Sequence, residues 1–112
     1  MQEFNFAVQG SADAPYRVRF TFIDGQMYGT CSCPAGEMSQ ACKHRAAILD
    51  GDATSVTEGI DSVPTIAQLI PGTRLAEAIQ AVATAEANLV NAKKALAAAK
   101  KHMARTMQPP AT

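Results

Sequence analysis

Apolar and polar residues alternate with a period of two along the first part of the chain. Phe4, Phe6 and Val8 fall between Glu3, Asn5, Ala7 and Gln9, the pattern of a strand with one buried face. Gly10 to Pro15 (GSADAP) breaks the pattern and reads as a turn. From Tyr16 the alternation returns, with Tyr16, Val18, Phe20 and Phe22 on one face and Arg17, Arg19 and Thr21 on the other. Asp24-Gly25 follows, a pair favoured in tight hairpins because both positions tolerate positive φ. Met27, Tyr28 and Thr30 make the returning strand, which runs into Cys31. The prediction is a three-stranded antiparallel sheet, or a hairpin with a short edge strand.

The period then changes. Residues 34–41 (PAGEMSQA) contain Pro34 and Gly36 and cannot be regular for long. Lys43 to Asp50 reads as a short helix whose Ala46, Ile48 and Leu49 are candidates to pack on the sheet, with Gly51 as its C′ stop. Residues 51–62 are polar and turn-like. Ser62 is placed to cap a second short helix through Ile66, Leu69 and Ile70, with Pro64 tolerated in its first turn. Pro71-Gly72 ends that helix and Thr73 caps the next.

Arg74 to Met107 has neither Gly nor Pro and reads as one helix, roughly 50 Å long at ~1.5 Å per residue. Leu75, Val82, Leu89, Leu96 and Met103 recur every seven residues, and Ala78, Ala85, Ala92, Ala99 and Thr106 follow each at the third position. This is the a/d seam of a coiled coil, with large residues at one position and small ones at the other. Such a stripe exceeds what a small module can cover, so self-association or a partner helix is expected; folding back on the module is the alternative. Glu77 and Glu86 lie early and the lysines late, which favours antiparallel pairing. Residues 108–112 read as a disordered tail. The domain organisation expected is therefore a metal module over 1–50, a connecting segment with a short helix over 51–73, the oligomerisation helix over 74–107, and the tail. The fold class is α+β.

Composition sharpens this picture in two ways. Apolar residues are 47% of the chain but aromatics only 5%, so the core is thin, and a 112-residue chain of this kind often needs a metal or a second subunit. The formal net charge of zero conceals a division. Residues 1–73 carry four basic against eight acidic side chains, while 74–112 carry six basic (Arg74, Lys93, Lys94, Lys100, Lys101, Arg105) against two acidic. The first residues, MQEFNFAVQG, have no basic n-region or apolar h-region, and no apolar run is long enough to span a bilayer. The expected location is cytoplasmic, in a reducing compartment.

All three cysteines and one of two histidines fall in Cys31–His44, as Cys31-x-Cys33, eight residues, then Cys42-x-His44. Three thiolates and an imidazole are the ligand set of a tetrahedral structural zinc site. Residues i and i+2 share one side of an extended strand, so Cys31 and Cys33 reach one ion. In a helix the same spacing puts side chains ~200° apart, so Cys42 must precede the helix and His44 occupy its first turn. The prediction is a ββα-like module clamped by one Zn²⁺. Buried or redox-active cysteines without metal, and a catalytic thiol, are the alternatives. Four protein ligands leave no open position for water, and no acid–base pair accompanies them, so no enzyme is expected.

The Cys-x-Cys…Cys-x-His pattern resembles the SWIM zinc finger. The likeness extends to Tyr16-Arg-Val-x-Phe before the site, Pro34 after Cys33, and Lys43-His44-Arg45-Ala-Ala-Ile entering the helix. It covers about residues 4–50, and what it implies is binding to DNA or protein and no catalysis by the module. The leading expectation is a non-enzymatic zinc-binding adaptor that binds a protein partner and self-associates through its helix. The alternative is a DNA-binding accessory protein. For either, Arg17, Arg19, Lys43 and Arg45 are the candidate contact residues. Against DNA stands the acidic balance of the first half, since phosphate binding rests on accumulated positive charge. No aromatic residue interleaves with the helix lysines to stack single strands, and His102 among them reads as an exposed helix residue.

Overall fold

The computed structural model describes residues 1–111. The chain divides into two compact units, Met1–Ala76 and the stretch from Glu77 onward. The architecture is α+β: a four-stranded antiparallel sheet, short helices, and a long C-terminal helix.

Strands β1 (Gln2–Val8), β2 (Tyr16–Ile23) and β3 (Gln26–Cys31) form where the sequence alternates. Phe4 faces Phe20 and Phe6 faces Val18 across β1 and β2, so the inward residues share one face. Phe6 and Phe20 meet edge-on with centroids 6.1 Å apart, and both are fully buried, as is Val18. Tyr16 and Phe22, at the ends of the row, are only half-buried. Asp24 and Gly25 both have positive φ (49° and 76°), the backbone of the two-residue hairpin that this pair predicts.

Segment 51–73, read from sequence as a connector, is part of the first unit. Val56–Glu58 forms β4, which pairs with β1 across an irregularity at Ala7/Val8 and gives the sheet order β3-β2-β1-β4. Gln9 donates its backbone N–H to Ser55 O at 2.8 Å, and the Thr57 hydroxyl donates to Ala7 O. A strand of three residues with one buried side chain carries no periodicity to read.

Helices α1 (Pro34–Glu37) and α2 (Lys43–Leu49) follow β3. Ile48 of α2 is fully buried and Leu49 half-buried, whereas Ala46 faces solvent. Gly51, at φ 80°, ends α2: its N–H reaches Ile48 O and that of Asp52 reaches Ala47 O, the paired bonds of a Schellman motif. Helix α3 (Val63–Leu69) contributes Val63 and Ile66, with Ile70 just beyond, to the core. Ser62 does not cap it by its side chain, because Ser62 already has near-helical φ/ψ (−87°, −10°) within a 3₁₀ turn, Ile60–Ser62, and a side-chain cap requires an extended residue.

Thr73 caps α4 (Arg74–Thr106) as expected: its hydroxyl accepts from Ala76 N at 3.1 Å and donates to Ile70 O at 2.6 Å. Within the first unit Leu75 is half-buried and lines a cleft with Phe20, Met27 and Leu49. From Gln80 to the end of α4 every residue is exposed. The tail expected over 108–112 is exposed and irregular as far as Ala111; Thr112 lies outside the described residues. Among the described residues no helix is long and apolar enough to cross a membrane.

Candidate metal centre

Each predicted ligand is positioned by a local feature the sequence encodes. Cys31 closes β3 opposite Val18, which places its side chain on the buried face. Ser32 leaves the sheet but stays tied to β2: its N–H donates to Arg17 O, and its hydroxyl accepts from Arg17 N. Cys33 lies beyond the strand, yet its backbone is still extended (φ −66°, ψ 160°) as the N-cap of α1, so its sulfur turns to the same side as that of Cys31. Cys42 is extended (φ −131°, ψ 122°) immediately before α2, and His44 is the second residue of that helix. A strand end and two helix starts thus converge.

All four side chains are buried, and their donor atoms lie within 4.8 Å of one another. Cys33 Sγ is 3.5 Å from Cys42 Sγ; His44 Nδ1 is 3.8 Å from Cys31 Sγ and 3.7 Å from Cys42 Sγ. Donors at zinc bond lengths on a tetrahedron would be separated by roughly 3.5 Å for S···N and about 3.8 Å for S···S. The three separations given lie near those edges and all four donors lie within 4.8 Å of one another, so the cluster is close enough to hold one metal ion. The chemistry of the donors agrees, since soft thiolates with an imidazole suit zinc. Cys31 Sγ, Cys33 Sγ, Cys42 Sγ and His44 Nδ1 are the atoms that would hold the ion.

Backbone donors already serve the sulfurs. Cys33 N points at Cys31 Sγ (3.5 Å) and Gly36 N at Cys33 Sγ (3.3 Å). Without metal, burial pushes the Cys31 thiol well above its ordinary value. Burial acts in the same direction on Cys42, but there the Arg45 backbone N–H and the neighbouring Cys33, His44 and Cys31 side chains outweigh it, and the thiol is held below its ordinary value.

Sequence reasoning did not identify the wall behind the histidine. His44 Nε2 is buried with no hydrogen-bond partner. With Nδ1 turned to the sulfurs, Nε2 is the nitrogen that carries the proton of a ligating neutral imidazole. The ring lies against Tyr16, centroids 4.9 Å apart and tilted 45°. Gly10 closes over both rings, and a Cβ there would stand 2.6 Å from Tyr16 Cε2 and 2.9 Å from His44 Nε2. Gly10 reads in the sequence only as a turn residue, because the close approach depends on where β2 and α2 meet.

The four candidate contact residues are divided between two faces. Arg17 and Arg19 project from the sheet face opposite the core and line one shallow cavity with Asn5, Thr30 and Ser32. Each is engaged by a carboxylate: Arg17 with Glu58 at 3.4 Å, Arg19 with Glu3 at 3.7 Å. Arg45 is a staple, donating to Gly29 O (3.1 Å) and Gln40 O (2.7 Å) and so tying the loop before α2 to β3. Lys43 is exposed beside the cluster and lines a cleft with Tyr16, Pro34 and His44.

Comparison with family models, with curated proteins and with solved structures finds no match to this chain.

Proposed function

We propose that this is a non-enzymatic, intracellular zinc-binding interaction protein: one structural Zn²⁺ fixes the first unit, which meets a protein partner, and the C-terminal helix assembles copies of the chain. The observation that carries the reading is the convergence of four buried donors within 4.8 Å of one another. Four protein ligands leave no vacant position at which water or substrate would be activated, so the ion serves to hold β3, α1 and α2 together. The motif's resemblance to the SWIM finger supports a binding role. A protein partner is favoured over nucleic acid because the first half of the chain is acidic, Arg45 is occupied by backbone carbonyls, and Arg17 and Arg19 already meet carboxylates.

One observation supports DNA as a second reading. Arg17 and Arg19 remain largely exposed along a single cavity that Asn5, Thr30 and Ser32 also line. The two readings part in a binding titration with mixed-sequence duplex at low and high salt. The protein-partner reading expects no saturable binding, and no difference between the native chain and the Arg17→Ala, Arg19→Ala double variant. Salt-dependent binding that this variant abolishes would transfer the function to DNA. Elemental analysis tests the zinc itself, one equivalent per chain being expected.

A further inference from the structure

Helix α4 carries a row of exposed apolar side chains. Along α4 every residue from Gln80 to Thr106 is exposed, and Val82, Leu89, Leu96 and Met103 are each more than half exposed. A helix owes most of its stability in water to burial of an apolar face, and the apolar face of this one is exposed. Leu75 is withdrawn from the seam, being half-buried in the first unit. The free seam therefore begins at Ala78 and ends at Met103.

We infer that this seam closes as an antiparallel pair of α4 helices from two copies of the chain, crossing between Val90 and Asn91. The inference rests on the self-association proposed above and specifies its geometry. In an antiparallel pair the large positions of one helix face the small positions of the other. Ala78 then lies opposite Met103, Val82 opposite Ala99, Ala85 opposite Leu96, and Leu89 opposite Ala92. Every layer is one large and one small side chain, so the helices keep one separation along the whole seam. The pairing also uses the free seam from end to end. A parallel pair would alternate Leu-on-Leu with Ala-on-Ala layers; the large layers would hold the helices apart and leave voids at the alanines, which close packing penalises.

Charge selects the same arrangement. Glu86 and Lys93 occupy the same flanking heptad position, and in the antiparallel register Glu86 of each chain meets Lys93 of the other, twice per dimer. In a parallel pair Glu86 would face Ala81 and Lys93 would face Asn88, with no ion pair formed. Opposed helix dipoles add to the preference.

The test uses the full, zinc-loaded chain. Sedimentation equilibrium is expected to give a dimer. Glu86→Lys alone, or Lys93→Glu alone, turns both attractive pairs repulsive and should weaken dimerisation roughly tenfold at low salt, whereas the two together restore it. A spin label on an unnatural residue at position 80 should report a separation of about 35 Å from its mate, since some twenty residues of helix rise lie between the two labels; a parallel pair would give about 20 Å or less. A dimer with the short distance, or one indifferent to the single charge reversals, overturns this pairing while leaving self-association standing. A monomer at tens of micromolar, or a trimer, overturns both. The zinc content of the same sample reports separately on the metal site.

Discussion

Cys33→Ser separates the metal's contribution from everything else the residue does. Cys33 has two roles: its sulfur is one of four clustered donors, and it caps α1 by accepting from Gly36 N. Serine is a good N-cap, so the substitution keeps the second role and removes the first. Loss of a residue that merely supports a metal ligand costs 10–100-fold in affinity, and loss of a ligand itself should cost at least about 100-fold, or about 2.7 kcal/mol. A unit of this size holds ~4–11 kcal/mol of total stability. For a domain of 60–100 residues the loss translates to a fall of roughly 10–20 °C in the melting midpoint. Circular dichroism with elemental analysis is the assay. Chelation of the native protein should go further, because a structural zinc contributes about 10–16 kcal/mol of apparent binding energy, as much as the unit's whole stability. Most helical signal should nevertheless survive, since α4 supplies 33 α-helical residues against four, seven and seven from α1, α2 and α3. Unchanged melting in both experiments, with no metal in either protein, would refute a structural metal.

Three further outcomes follow from the geometry around the cluster. Burial keeps Cys31 protonated in the metal-free fold throughout the neutral range, so binding must expel that proton; zinc affinity should therefore rise with pH by at least about tenfold per unit on this account, and competition with a chelator from pH 6 to 8 measures the slope. Gly10→Ala drives a methyl group into Tyr16 and His44 and should cost about 1–3 kcal/mol together with a loss of zinc affinity, whereas the exposed Gly25→Ala lowers stability and leaves affinity alone; paired melts and metal titrations distinguish them. Arg45→Lys preserves charge but not the fork spanning Gly29 O and Gln40 O, so it should lower stability by about 1–2 kcal/mol without changing partner binding; a binding defect with normal melting would make Arg45 a contact residue instead.

What the sequence made legible, and what it did not, divides along physical lines. Side-chain period located β1, β2 and β3 because each has one buried face, and the i, i+2 spacing of the ligands was enough to place Cys42 before α2 and His44 inside it. Strand β4 was invisible because Val56 alone carries its burial; backbone bonds to β1, which have no composition, fix the rest. Arg45 looked like a free cation because a guanidinium that satisfies two distant carbonyls is indistinguishable in sequence from one facing solvent. Gly10 signalled only a turn: its further meaning lies in the meeting of Tyr16 with His44, residues far apart in sequence. The donor set is local, four side chains within fourteen residues, and the fold had only to bring the two pairs to one point. The seam is local too, its large and small positions and its Glu86 and Lys93 lying along one helix whose residues are exposed from Gln80 on. Its large and small positions exchange places when the helix is reversed, which is why the proposed pairing is antiparallel.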